Sequence, residues 1–124
     1  MSRARRAAER RGRAAEWLVL IYLMLKGYRI LARRARTPYG EVDLAALRAG
    51  LLVFVEVKAR ASRAEGLEAV RFAQRERLAM AAQTLAARWR LSRLRQRFDV
   101  VVVRPWGRVD HIRDAWREER VRSN

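Results

Sequence analysis

Four consecutive valines, Val100, Val101, Val102 and Val103, constrain this chain more than any other stretch. A strand with one wet face alternates apolar and polar side chains, whereas an unbroken apolar run reads as a strand buried on both faces. Such a strand needs a layer on each side of its sheet, and helices are the ordinary cover. Residues 98–103 therefore predict an interior strand. A second strand is predicted over 51–59, where the β-branched Val53, Val55 and Val57 share one face.

The remaining elements fall around these two. Ala14, Ala15, Leu18, Ile21, Tyr22 and Leu25 recur at helical spacing, so 3–26 reads as a helix, frayed over its first ten residues and closed by Gly27. Residues 28–35 alternate weakly and read as a strand. Thr37-Pro38-Tyr39-Gly40 reads as a turn and 41–47 as a strand joined to 51–59 by a hairpin. A polar loop over 60–66 leads to one long helix over 67–90. A basic connection follows over 92–97, then the valine strand, the turn Pro105-Trp106-Gly107 and a short edge strand over 109–112. The tail from Asp114 is helical or disordered. The order is α-β-β-β-α-β in one domain spanning 1–124, an α/β fold with a mixed sheet flanked by helices. The second helix allows the valine strand to run parallel to 51–59 by a right-handed crossover.

The net charge of +16 points to a polyanionic partner, nucleic acid before membrane. The absence of cysteine excludes disulfides and thiolate metal sites. One histidine, His111, leaves no His-rich centre. Any catalysis must rest on carboxylates and lysine. The apolar stretch 17–25 is too short to span a bilayer. It follows basic residues as in a signal peptide, but Lys26-Gly27-Tyr28-Arg29 stands where a small-residue cleavage site belongs, and Glu9 and Glu16 interrupt the pattern. A buried core helix, a cytoplasmic location and no membrane association are the expectation.

Of the 29 basic residues only Lys26 and Lys58 are lysine. Lysine is a compact charge that can give up its proton, which arginine cannot. Lys58 ends the run Val53-Phe54-Val55-Glu56-Val57-Lys58. If Ala49-Gly50 is the hairpin loop, Asp43 faces Glu56 and Glu41 faces Lys58. Centring the loop on Arg48-Ala49 shifts the partners by two but keeps all four charges on one face. Carboxylates opposed at about 4.5–5.5 Å repel unless a proton or cation lies between them. A hard ion such as Mg2+ or Mn2+ suits Asp43 and Glu56, with the Val57 carbonyl as a further oxygen. Metal activation of water, with Lys58 positioning or helping to deprotonate it, supplies the parts for phosphodiester hydrolysis. The alternative is a Glu41–Lys58 ion pair on a wet sheet face, which stabilises little.

Glu16 can point from the first helix towards the metal or lie on an exposed helix face. Gln74 falls within the apolar stripe of the second helix, where it can meet a water or phosphate or simply bond to backbone. Asp99 can support the site or pair with Arg97, and Glu41 stands beside the carboxylate pair. Arg60, Arg63 and Arg71 are candidate phosphate contacts, and Trp106 is the best placed tryptophan for stacking on a base.

The segments Gly12-Arg13-Ala14-Ala15-Glu16, Lys26-Gly27-Tyr28-Arg29-Ile30-Leu31, Gly40-Glu41-Val42-Asp43-Leu44, Val53-Phe54-Val55-Glu56-Val57-Lys58-Ala59-Arg60 and Arg97-Phe98-Asp99-Val100 resemble the uncharacterised YraN-like family, related to Holliday-junction resolvases within the PD-(D/E)XK nuclease superfamily. The resemblance covers roughly 11–116. It implies a restriction-endonuclease-like αβββαβ core and a magnesium-dependent endonuclease of branched or structured DNA. In that reading Asp43 and Glu56 are metal ligands, Lys58 the catalytic lysine and Glu16 the helix-one acid. It also implies a homodimer. The chain departs from the family in having Arg48-Ala49 where Asp-Gly is usual in the hairpin turn. It also has Gln74 where a lysine is typical. A non-catalytic DNA- or RNA-binding protein that keeps the fold is the alternative.

Overall fold

The computed structural model describes residues 2–116. Helix α1 (Arg3–Leu25) is followed by strands β1 (Arg29–Thr37), β2 (Gly40–Arg48) and β3 (Leu51–Ala59). Helices α2 (Arg63–Glu68) and α3 (Phe72–Arg88) lead to β4 (Arg95–Arg104) and β5 (Arg108–Ile112). The five strands lie in sequence order in one mixed sheet, in which only the β3–β4 pair is parallel. This is the expected α/β architecture, a sheet flanked by helices consistent with a restriction-endonuclease-like αβββαβ core.

The valine strand explains the layering. Val101 packs with Val53, Val55, Leu44, Val19 and Leu23 beneath α1. Val100 and Val102 pack with Phe54, Leu52, Leu78 and Leu85 beneath α3. Phe54, Leu23, Leu52, Leu78 and Leu85 are fully buried, each contributing roughly 1.5–3 kcal/mol of transfer free energy. β3 is therefore covered on both faces, and so is β4.

The β2–β3 ladder has the register of a two-residue loop, with Arg48 opposite Leu51 and Leu44 opposite Val55. The loop is Ala49-Gly50, not Arg48-Ala49, and both residues adopt positive φ, 50° and 76°. That is the type I′ geometry that follows strand twist. Gly50 supplies the glycine that seemed to be missing, and the strained position falls on Ala49.

Three boundaries differ from expectation. The predicted loop over 60–66 is partly helical, because Ser62 accepts from the Glu65 N–H and Glu65 Oε2 accepts from the Ala61 N–H. This Ser-x-x-Glu capping pattern starts α2. The predicted helix over 67–90 is broken between Glu68 and Phe72, and Gly66 lies so close to β4 that a Cβ there would collide with the Val102 side chain. The basic connection over 92–97 ends early, because residues 95–97 pair with β3. Helix α1 starts at Arg3, with Ser2 accepting from the Arg5 N–H as its cap. Of the expected tail, residues 113–116 form turns and 117–124 lie outside the described residues.

Candidate metal centre

The paired part of β2 and β3 ends at Leu44–Val55, one residue short of Asp43 and Glu56. Beyond it the Asp43 carboxylate replaces backbone pairing: its Oδ2 accepts the Val57 N–H at 2.8 Å. An irregularity in β1 stands across from this point. Arg34 adopts φ 54° inside a strand, an uncommon conformation for a side chain of this size. The paired residues on either side are Arg33–Leu44 and Ala35–Val42. Leu44, Ala45 and Ala46 alternate regularly between the α1 and α3 cores, but Val42, two residues before Leu44, lies in the α3 core instead of sharing its face. The alternation of β2 thus breaks at Asp43.

The Asp43 and Glu56 carboxyl groups act on each other directly, and Asp43 helps to raise the pKa of Glu56. Glu56 is buried, and its pKa is pushed up to about 8 by burial first and by Asp43 second. Asp43 is also raised, mainly by burial, against the Val57 N–H that favours its charge. Lys58 and Arg77 are the cations that partly stabilise ionised Glu56. Even so, Glu56 Oε1 is buried without a hydrogen-bond partner. A buried carboxyl oxygen left unpaired costs free energy in the empty site. It fits a hard cation that takes oxygen ligands. Two carboxylates and a backbone carbonyl also suit Mg2+, which keeps several waters. Among the described residues no three acidic or imidazole side chains converge, so the donor set is that of an ion sharing its coordination with water or phosphate.

Lys58 lies two residues beyond Glu56 on β3 and acts electrostatically on both carboxylates. Glu16 comes near enough to Asp43 to raise its pKa, but it is claimed by arginines. Arg34 Nε donates to Glu16 Oε1 at 2.8 Å, and an Arg33 nitrogen lies 3.6 Å from the same oxygen. That hydrogen bond raises the Arg34 pKa. Glu16 opens into a cleft of 380 Å3 lined also by Glu9, Arg13, Arg34 and Glu41. Gln74 is half-buried near the start of α3.

Two expected partners are not at the pair. Glu41 bonds its β1 neighbour Arg36 at 3.2 Å and is half exposed, so the Glu41–Lys58 ion pair weighed as the alternative does not form. Asp99 pairs with Val55 in the sheet, one residue out of step with Glu56, and therefore points to the opposite face. There it accepts from Arg97 at 2.8 and 2.7 Å, from the Asp114 N–H at 3.0 Å and from His111 Nε2 at 2.7 Å. Burial alone would raise its pKa, but these donors hold it below the usual carboxylate range. Arg97 also donates to the Tyr28 hydroxyl at 2.7 Å. The Arg97 partner weighed from sequence is the one observed, and His111 in the edge strand β5 is a nearly buried part of the network.

Arg77 was missed. It donates to the carbonyls of Tyr39 and Glu41, tying the start of β2 to α3, and its guanidinium lies against Gly40 where a Cβ would come within 2.5 Å. It lies three residues past Gln74, one helical neighbour away, but nothing separates it in sequence from the other arginines. Arg60 and Arg71 are exposed and line one shallow cleft with Glu65 and Glu68. Arg63, also exposed, lines a different cleft of 730 Å3 with Arg95, Arg97 and Arg113. Trp106 is 94% exposed at φ 67° in the β4–β5 turn. Tyr39 occupies the β1–β2 turn, so both rings stand at the end of the sheet where β3 delivers Glu56 and Lys58. No described helix is long and apolar enough to cross a membrane.

A UPF0102 protein of Maricaulis maris is 52% identical over 117 residues, covering 94% of this chain and 92% of its own length. A UPF0102 protein of Mesorhizobium japonicum is 49% identical over 116 residues, covering 93% of each. One from Agrobacterium fabrum is 47% identical over 116 residues, covering 93% of this chain and 95% of its own. The family model described as "Uncharacterised protein family UPF0102" matches residues 15–103, from the residue before Glu16 to the last of the four valines. The chain belongs to the UPF0102 family.

Proposed function

We propose that this protein is a metal-dependent endonuclease that hydrolyses phosphodiester bonds in branched or structured DNA. The observation that carries the reading is the buried Asp43–Glu56 pair, in which Glu56 Oε1 has no hydrogen-bond partner, with Lys58 two residues along the same strand.

Asp43 and Glu56 would hold Mg2+ or Mn2+, and the Val57 carbonyl is the nearest further oxygen on the strand. The bound ion would supply an activated water and neutralise phosphate charge. Asp43 is held for this by the Val57 N–H, which fixes one of its oxygens. Lys58 places a positive charge beside both carboxylates, where it can orient a water or stabilise charge on a phosphate oxygen. Arg77 braces the β2 end of the site. Arg34 and Arg33 hold Glu16 at its edge, a positioning role for the acid. The surrounding arginines, within a net charge of +16, supply the attraction for nucleic acid. Trp106 and Tyr39 offer exposed rings for unpaired bases.

Cleavage of junction, flap and linear DNA with Mg2+ or Mn2+ tests this. Asp43→Asn should abolish cleavage, and Lys58→Ala should slow it by about 10²–10⁴-fold. Wild-type rates in both purified variants would sink the assignment. Titrating Mn2+ into the wild type and Asp43→Asn without nucleic acid separates binding from turnover.

The second reading is a nucleic-acid-binding protein that keeps the fold without the chemistry. The arginine clamp on Glu16 and the absence of a third acid at the pair, among the described residues, favour it. It predicts salt-dependent DNA or RNA binding unchanged by Mg2+ and by Asp43→Asn.

A further inference from the structure

A groove of about 490 Å3 opens at the end of the sheet where β3 and β4 finish. Ala14, Ala15 and Leu18 of α1 line it, with Ala59 and Ala61 at the end of β3 and Val103 of β4. All six side chains are aliphatic, and the charges come from three arginines. Arg104 is held by Asp110 at 2.8 Å. Arg11 and Arg60 are exposed and stand on opposite banks, one on α1 and one directly after β3. Among the described residues neither forms an ion pair. Arg60 donates one N–H to the Ala59 carbonyl. An apolar lining with a few charged groups, at this volume, is the usual make-up of a small-ligand site.

The groove has a fixed relation to the carboxylate site. Ala59 and Arg60 directly follow Lys58. Phe54, two residues before Glu56, packs beneath α3, and Val57, two before Ala59, packs beneath α1. Alternation therefore sets Glu56 and Lys58 on one face of β3 and Ala59 on the other. The groove and the carboxylate pair lie at the same end of the sheet on opposite faces. Lys58 and Arg60 are at most about 7 Å apart along the backbone.

We infer that this groove takes the base of one unpaired nucleotide of the bound DNA, with Arg11 and Arg60 on the phosphates beside it. A duplex turns only sugar and hydrated phosphate outwards, and aliphatic walls gain nothing from either. An unpaired nucleotide offers both parts together: a base whose faces pack against apolar side chains, and an anion next to it for the guanidiniums. Position favours nucleic acid over another anion with an apolar part, because the groove continues from the strand end that carries Lys58. Pro105 completes the lining, and the exposed Trp106 ring that follows it is a surface for a neighbouring base. A strand passing from the carboxylate face to the groove must turn round the end of β3. Duplex DNA, stiff over about 150 bp, resists so sharp a turn, whereas a single strand makes it freely. The inference rests on the nucleic-acid partner of the proposed function and narrows its substrate: a nucleotide close to the scissile bond is unpaired, as at a flap or a fork.

Fluorescence anisotropy on the full chain, with a chelator to prevent cleavage, tests it. The probes are a blunt duplex, the same duplex with an unpaired thymidine tail, and one whose tail is abasic. The thymidine tail should tighten binding about 10-fold over the blunt duplex, and the abasic tail should lose most of that gain. Ala14→Leu and Ala61→Leu fill the groove from either bank. Both positions are exposed, so melting should not change, and the blunt duplex should bind as before while the tail preference disappears. Arg11→Gln should lower the salt slope of tailed binding by about one. A diazirine carried on the tail base should attach within residues 11–18 or 59–61. Equal affinity for tailed and blunt duplex, or a preference that survives in both leucine variants, would overturn the proposal. So would free thymidine monophosphate binding as tightly as the tail, or anionic vesicles, and no DNA tail, as the ligand that both leucine variants lose. Loss of the tail preference with magnesium-dependent cleavage intact would break this inference alone. A tail preference without cleavage would break the endonuclease reading alone.

Discussion

Glu56 and Asp99 are both buried acids on neighbouring central strands, yet their surroundings are opposite. Asp99 is saturated: Arg97, His111 and the Asp114 N–H occupy its two oxygens and depress its pKa. Glu56 has a neighbouring acid, a raised pKa of about 8 and an oxygen with no partner. A carboxylate whose needs are met inside the protein holds structure together. One whose needs are left unmet weakens the fold and retains capacity for something from outside. The comparison separates a structural acid from a site acid without reference to any relative.

The largest expected effect is on the structural side. Asp99→Asn should cost about 3 kcal/mol, because the buried Arg97–Asp99 contact loses its counter-charge. Urea unfolding measures this, and the loss should leave Mn2+ binding at Asp43–Glu56 intact. A loss below about 0.5 kcal/mol, the size of an ordinary surface change, would make the two acids equivalent and erase the contrast.

Glu56→Gln should do the reverse. A neutral amide keeps a donor towards Asp43 and removes the cost of ionising a buried group. In metal-free protein at pH 8 the variant should be the more stable by ~1–3 kcal/mol, the usual penalty for an unsatisfied buried group, while Mn2+ binding is lost. A destabilised Glu56→Gln would mean that the ionised carboxylate contributes to the fold, like Asp99.

The two acids should also pull stability in opposite directions with pH. Glu56 has a folded pKa of about 8 against an ordinary 4.5. Its protonation stabilises the native state fully below the ordinary value, and that contribution is lost as pH rises towards 8. Asp99 has a depressed folded pKa, so its contribution is whole above the ordinary 3.8 and is lost as pH falls through the folded value. Melting with a chelator from pH 3 to 9 should show the gap between wild type and Asp99→Asn closing in acid. The gap between wild type and Glu56→Gln should open between pH 4.5 and 8. Parallel profiles for both variants would break the comparison.

The sheet was legible because its signals are short-range or periodic. The valine run required two covered faces, and Gly50 fixed the loop that sets the β2–β3 register. That register sets Asp43 beside Glu56, one step beyond the last paired residues. What could not be read was partner choice among many arginines. Arg34 and Arg33 take Glu16, Arg36 takes Glu41 and Arg77 clamps β2. Each of these contacts joins residues whose sequence neighbours look alike. The left-handed Arg34 was equally silent, since no glycine or asparagine marks it. The break between α2 and α3 carries no proline. It arises from the close approach of Gly66 to Val102, a tertiary contact, although the Ser62–Glu65 cap was there to be seen.

The smallest effect tests whether the register is pinned by turn chemistry or by burial. Ala49 holds φ 50° beside Gly50 in the β2–β3 turn, a conformation that asparagine adopts with less strain than alanine. Ala49→Asn should stabilise the fold by about 0.5–1 kcal/mol through relief of that strain. The turn lies at the far end of the ladder from Asp43 and Glu56. Burial of Leu44, Ala45, Ala46, Leu52, Val53, Phe54 and Val55 already enforces the pairing, because any one-residue slip would exchange the α1 and α3 faces. Thermal melting should therefore rise slightly while Mn2+ affinity stays at the wild-type value. A change in that affinity would show that the hairpin turn, and not the doubly covered strand, sets how Asp43 meets Glu56.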